Sequence, residues 1–160
     1  QSKREKAVDL KLHPIMSEIK GRTVILVDDS IVRGTTSRKL VQHVRSAGAE
    51  RVYFVSTCPP VRHPCFYGID FPDVNELMAG GQKAETPEQI RALEKFVAKE
   101  IGADGVVYQS MQGLRASLEK SSHGRVKKPC TACLDGCCPT DIGDAKKFTE
   151  HRSRERGNNL

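Results

Sequence analysis

The chain has 160 residues, 38% of them apolar, and a formal charge of +6, which fits one domain around one core. It holds no apolar run long enough to cross a bilayer and opens on no signal-peptide pattern, which argues against a membrane-spanning or secreted chain and for a cytoplasmic one. Lys and Arg gather at the two ends and between Lys120 and Lys128 rather than along one recurrent face, so the charge reads as a polyphosphate-handling or solvated surface, with no nucleic-acid partner.

Gln1 opens a charged segment, QSKREKAVDLKLHP, that has neither an initiator Met nor a clear element start, and the chain is expected to be a piece of a longer protein. Val24 to Asp28 predicts a strand buried on both faces, because its residues are apolar and β-branched without alternation. A helix follows from about Thr36 to Ala47, with Leu40, Val41, Val44 and Ala47 on one face and Gly48 as its stop. The next strand runs from Val52 to Thr57 and ends before Pro59 and Pro60. A strand–helix–strand unit of this length implies parallel pairing.

Residues 61–81 form a long connection with a helical stretch near Asn75 to Ala79, and connections of that length tend to carry function. Pro87 opens a further helix in which Ile90, Leu93, Phe96, Val97 and Ile101 recur at helical spacing until Gly102. Gly105 to Gln109 predicts a third strand, and Met111, Leu114 and Leu118 a last short helix. The fold class is therefore α/β with a parallel sheet, and its missing strands are expected before Gln1. After Lys120 the chain turns polar and basic, and residues 141–160, with no apolar period, are expected to be disordered.

The stretch VILVDDSIVRGTTS, residues 24–37, carries the chemistry. An apolar strand ending in Asp28 and Asp29 also begins phosphorylatable receiver domains, and Asp70 sits where a phosphoacceptor would be sought. Three details count against that reading. Gly34, Thr35, Thr36 and Ser37 interrupt the helix start with a permissive residue and three hydroxyls; the segment before Asp70 is broken by Pro59, Pro60 and Pro64; and the third strand ends in Gln109 and Ser110. A glycine followed by amides at a helix start is instead a phosphate cradle. Ligands gather at the carboxyl ends of parallel strands, so the two carboxylates face the same site, where they can grip vicinal ribose hydroxyls or Mg²⁺.

These residues resemble the phosphoribosyl diphosphate (PRPP) signature of type I phosphoribosyltransferases, and in the form DDSIVRGTTS they are similar to that of the amidophosphoribosyltransferase family. QSKREKAVDLKLHPIMSEIKGR, PCFYGIDFPDVNELMA and IGADGVVYQSMQGL extend the resemblance over about the first four-fifths of the chain. It implies an incomplete type I phosphoribosyltransferase domain in residues 1–120. It also implies transfer of glutamine-derived ammonia to PRPP, giving 5-phosphoribosylamine and pyrophosphate, the first committed step of purine synthesis. PRPP would bind at Asp28, Asp29, Ser30, Ile31, Val32, Arg33, Gly34, Thr35, Thr36 and Ser37, with Mg²⁺ at Asp28 and Asp29. Arg4 and Lys11 match basic positions near the pyrophosphate. The glutaminase nucleophile belongs to a separate N-terminal domain, so the fragment alone is expected to be inactive. Purine nucleotides as feedback inhibitors and a homo-oligomeric state are also implied. The alternative is a regulator that keeps the loop to sense PRPP and does no chemistry.

Six cysteines in a chain with no secretory signal favour metal ligation over disulfides. Cys130 and Cys133 form a C-x-x-C pair on a segment read as flexible, open by itself to zinc, a redox dithiol or a surface loop. The resemblance adds the iron–sulfur branch of the family. There Cys65, Cys130 and Cys133 match three ligands of a [4Fe–4S] cluster, residues 121–140 form the ligating segment, and the fourth ligand is expected upstream. Cys137 or Cys138 can substitute as a ligand. Cys58 reads as a buried structural thiol and His63 as a surface or packing residue rather than a ligand.

Overall fold

The computed structural model describes residues 13–69, 71, 73–144 and 147. Arg4, Lys11, Asp70 and most of the 141–160 tail, on which the sequence places expectations, lie outside the described residues.

Among the described residues three strands, β1 (Thr23–Asp28), β2 (Arg51–Ser56) and β3 (Gly105–Tyr108), pair in parallel in the order β1-β2-β3. Five helices accompany them among those residues: α1 (Met16–Ile19), α2 (Thr35–Ser46), α3 (Pro87–Ile101), α4 (Met111–Ser121) and α5 (Ala132–Asp135). The strands and the longer helices follow the apolar periods of the sequence to within a residue or so. At α3 the boundary chemistry is explicit: Thr86 and Gln89 form a reciprocal capping box ahead of Pro87, and Gly102 ends the helix at φ +78°.

Because the strand order advances in one direction, crossovers of one hand put α2 and α3 on the same face of the sheet, where they touch each other. The core lies there. Val52, Phe54, Val106 and Tyr108 pack against Val41 and Val44 of α2 and Leu93, Val97, Ala98 and Ile101 of α3. On the opposite face Ile25, Val27 and Val107 are 62%, 65% and 54% exposed. The expectation that β1 is buried on both sides is thus corrected for the described residues. Its composition is that of a doubly covered strand, but the covering helices lie on one side only.

Two further expectations change. The helical stretch near Asn75 to Ala79 is a single 3₁₀ turn, Val74–Glu76, capped by the Asp73 carboxylate, which accepts from the Asn75 amide. The C-x-x-C segment, read as flexible, is packed: Thr131, Ala132 and Leu134 are buried, and Leu134 joins Val61, Phe71 and Leu77 in a second apolar cluster. A four-residue helix has too few apolar positions to announce itself by period.

Asp104 ties the layers together at the amino end of the sheet. Its carboxylate accepts from the Val52 amide at 2.7 Å and from Arg45, in the last turn of α2, at 2.9 Å. The Val52 amide, and Arg45 beside it, hold that carboxyl below the usual Asp range. The stabilisation is therefore complete above the ordinary Asp pKa of about 3.9 and is lost as pH falls through the lower folded value. Discounting for partial exposure, Asp104→Asn should cost about 1 kcal/mol in urea unfolding at neutral pH. The gap to wild type should close on acidification, and a gap independent of pH would show that the charge contributes nothing.

Candidate functional site

The register of the sheet fixes the site. Asp28 lies opposite Ser56, and Ser56 opposite Tyr108, so the last residues of all three strands form one row. The ladder runs one step further, with the Thr57 amide on the Asp28 carbonyl and the Gln109 amide on the Ser56 carbonyl, each at 3.0 Å. At this carboxyl edge the chain leaves β1 through Asp29 and Ser30. The Asp29 amide donates to Asp28 Oδ1 at 2.9 Å and the Ser30 hydroxyl to Asp29 Oδ1 at 2.8 Å. These bonds orient two adjacent carboxylates, a donor set of hard oxygens that suits Mg²⁺ or a pair of sugar hydroxyls.

From there the loop turns into α2. Ile31 is 1% exposed and anchors the loop in the core, so its backbone is what faces the site. Gly34 takes φ +72° at the N-cap of α2, and no side chain caps that helix. A β-carbon on Gly34 would run into the terminal methyl of Met78. Thr35 and Thr36 are exposed and Ser37 is buried. An uncapped helix start, with its amides and positive dipole end beside an acidic pair, can receive a phosphate while the acids hold what is attached to it.

The connection after β2 braces this loop from the side. Arg33 forms an ion pair with Glu76 of the 3₁₀ turn, and the Met78 amide donates to the Val32 carbonyl at 2.7 Å. Glu76 carried no sequence signal, since its partner lies 43 residues away.

The thiols occupy the neighbouring pocket. Cys58, Cys65 and Cys133 all pack against the cluster of Val61, Phe71, Leu77 and Leu134, together with Met111 and Leu114. The Arg62 and His63 amides both donate to the Cys133 carbonyl, at 2.9 and 3.0 Å, and so bind the two cysteine segments together. The Tyr67 amide donates to the Cys65 sulfur at 3.4 Å. Burial, then the neighbouring Cys58 and Cys65, push the Cys133 thiol up to about 11, with Cys130 a smaller contributor. Cys130 and Cys137 are exposed, whereas Cys138 is partly covered. The His63 ring lies against Gly136.

Among the described residues no three His, Cys, Asp or Glu side chains converge closely enough to hold one metal ion. A four-iron cluster asks for something else, because each thiolate binds its own iron and the sulfurs stand around a cubane rather than a point. Several soft thiol donors around an apolar, hydrogen-bonded pocket fit that group better than a hard cation.

The parallel sheet with its helices is the phosphoribosyltransferase type of fold found in PRPP amidotransferases. The structure of a glutamine PRPP amidotransferase from B. subtilis complexed with ADP and GMP matches at a TM-score of 0.68 and 33% identity, over 90% of this chain and 30% of that one. A structure described as the allosteric regulatory enzyme of purine biosynthesis matches at 0.71 and 34%, over 95% and 31%. The amidophosphoribosyltransferase of Methanothermobacter thermautotrophicus is 40% identical over 159 residues, which is 98% of this chain and 30% of that protein. The chain thus spans about a third of the length of the curated relatives it matches. No protein-family model matches it.

The cradle depends on Gly34, and its left-handed backbone, rather than contact with Met78, is the larger constraint, because a terminal methyl moves easily. Gly34→Ala should lose about 1–2 kcal/mol in urea unfolding. Gly34→Asn, which adds the same β-carbon but tolerates a positive φ, should lose less. An Asn variant at least as unstable as the Ala variant would shift the cause to crowding.

Proposed function

We propose that this chain is the PRPP-binding and cluster-binding portion of an amidophosphoribosyltransferase, an enzyme that transfers the amide nitrogen of glutamine to PRPP in the first committed step of purine synthesis. The observation that carries this reading is the left-handed, side-chain-free start of α2 at Gly34, set beside the Asp28–Asp29 pair at the carboxyl edge of a parallel sheet. Residues 1–120 belong to the transferase domain and residues 121–140 to the cluster-binding segment.

In this reading the 5′-phosphate of PRPP sits on the amides and hydroxyls between Ser30 and Ser37, which includes Val32, Arg33, Gly34, Thr35 and Thr36. Asp28 and Asp29 accept from the ribose hydroxyls and hold Mg²⁺, whose charge neutralises the departing pyrophosphate. Ammonia supplies the lone pair that forms the new C1–N bond. The C1–O bond breaks with its electron pair going to pyrophosphate, and the nitrogen then releases a proton. Because positive charge gathers on the sugar in the transition state, two carboxylates near the ribose favour it.

Cys65, Cys130 and Cys133 supply thiolates to a [4Fe–4S] cluster, a cofactor that fits the apolar, soft-donor pocket in which Cys65 and Cys133 meet. Purine nucleotides, of the class bound in the B. subtilis enzyme, act as feedback inhibitors in this reading, in which the whole protein is a cytoplasmic homo-oligomer.

Calorimetric titration of PRPP with Mg²⁺ into the chain tests the acidic pair. Asp29→Asn should weaken binding about tenfold or more, the equivalent of one charge-assisted contact of about 1.4 kcal/mol or more. Equal affinity in the variant would remove the pair from the site.

A further inference from the structure

On the reading that the 5′-phosphate of PRPP sits on the Ser30–Ser37 loop, a residue outside that loop sets its shape. We infer that Glu76 is a positioning residue for phosphate binding: through Arg33 it holds the turn ahead of Gly34 in the form that receives the phosphate.

The loop is anchored on either side of the turn, by Ile31, 1% exposed, and Ser37, 3% exposed. Between them the chain passes through left-handed Gly34, which has no side chain to restrain its own rotation. Contacts from the segment 76–78 fall on three successive residues of this stretch. The Met78 amide donates to the Val32 carbonyl at 2.7 Å, the Arg33 guanidinium pairs with Glu76, and the Met78 methyl fills the space beside Gly34 where a side chain would stand. Arg33 donates from Nε, at 3.0 Å, and from Nη2, both to Glu76 Oε2. Two donors of one planar group on one carboxylate fix the direction of the guanidinium as well as its distance.

A second observation concerns Glu76 itself, which stands on a well-tied turn. The Asp73 carboxylate accepts from the backbone amide and the side-chain amide of Asn75, each at 2.9 Å. The Glu76 amide donates to the Asp73 carbonyl at 3.2 Å and the Leu77 amide to the Val74 carbonyl at 3.1 Å. Leu77 is buried in the second apolar cluster, and a β-carbon on Gly80 would run into the Val74 carbonyl, so the turn is closed tightly behind Glu76. The Arg33 and Glu76 side chains are 34% and 33% exposed, and an ion pair so open to water adds little to global stability. Its effect falls on the loop. A cradle already shaped when the phosphate arrives binds without a further ordering cost, whereas one that is competent in a tenth of the molecules binds about tenfold more weakly.

The test is calorimetric titration of the 160-residue chain with ribose 5-phosphate and with PRPP and Mg²⁺. Glu76→Gln, which keeps the shape and removes the charge, should weaken both by a similar factor of about tenfold, with the urea midpoint nearly unchanged. Glu85→Gln, which breaks the Arg62 ion pair further along the same connection, should bind both like wild type. Added to Arg33→Met, Glu76→Gln should change affinity by less than about twofold, because its effect passes through that guanidinium. In the nuclear magnetic resonance spectrum of the unsubstituted chain, ribose 5-phosphate should shift the amides of Gly34 to Ser37 while the Arg33 Nε–H stays slow to exchange. Three results overturn the inference and leave the PRPP reading standing: wild-type affinity in Glu76→Gln, an equal loss in Glu85→Gln, or an Arg33 Nε–H that exchanges rapidly once ribose 5-phosphate is bound. Wild type that binds neither ribose 5-phosphate nor PRPP overturns both. The exchange measurement needs no substitution, so a misfolded variant cannot decide it.

Discussion

The structure depends on the parallel register that puts Asp28, Ser56 and Tyr108 in one row. Strands that run the same way end at the same edge, and everything that leaves them emerges together. From β1 comes the acidic pair and the Gly34 turn, from β2 the Ser56–Cys58 lock, and from β3 the buried Tyr108 phenol. A slip of one residue would turn Asp28 and Tyr108 to the opposite face of the sheet and break up the core of Phe54 and Val106 behind them. The hydrophobic pattern that holds the register for the sake of the core therefore also holds the site.

Much of this is legible in the sequence. The β1–α2–β2 unit and α3 carry long apolar periods with clear stops at Gly48 and Gly102, and their composition requires no tertiary information. The Asp28–Ser37 loop is legible because its chemistry is local: strand end, acids, glycine and helix start follow one another within 10 residues of sequence. What stays hidden is non-local. The partnership of Arg33 with Glu76, the docking of Leu134 onto Val61 and Leu77, and the single-sided covering of the sheet all depend on segments far apart in the chain.

Asp29 and Cys58 also link the two pockets electrostatically. Burial raises the Cys58 thiol, and the Asp29 carboxylate raises it further. The Thr57 hydroxyl reaches the Asp29 carbonyl at 3.4 Å, so the acid and thiol loops share a boundary. The acid and thiol loops thus meet at Thr57, where the Asp29 carboxylate adds to the burial that keeps the Cys58 proton in place.

A mechanical path runs alongside the electrostatic one. Leu134, in the C-x-x-C helix, packs in the cluster that contains Leu77. On either side of Leu77 in sequence, Glu76 pairs with Arg33 and the Met78 amide bonds to Val32, both in the loop that makes the phosphate cradle. The cysteine segment and the loop therefore meet at one apolar cluster, against which Val32 of the loop also packs. Loss of the cysteine segment would strip Leu77 of its Leu134 neighbour while leaving the sheet core of Val52, Phe54 and Val97 intact. The cradle depends on these braces, because Gly34 contributes no side chain of its own and the start of α2 has no side-chain cap.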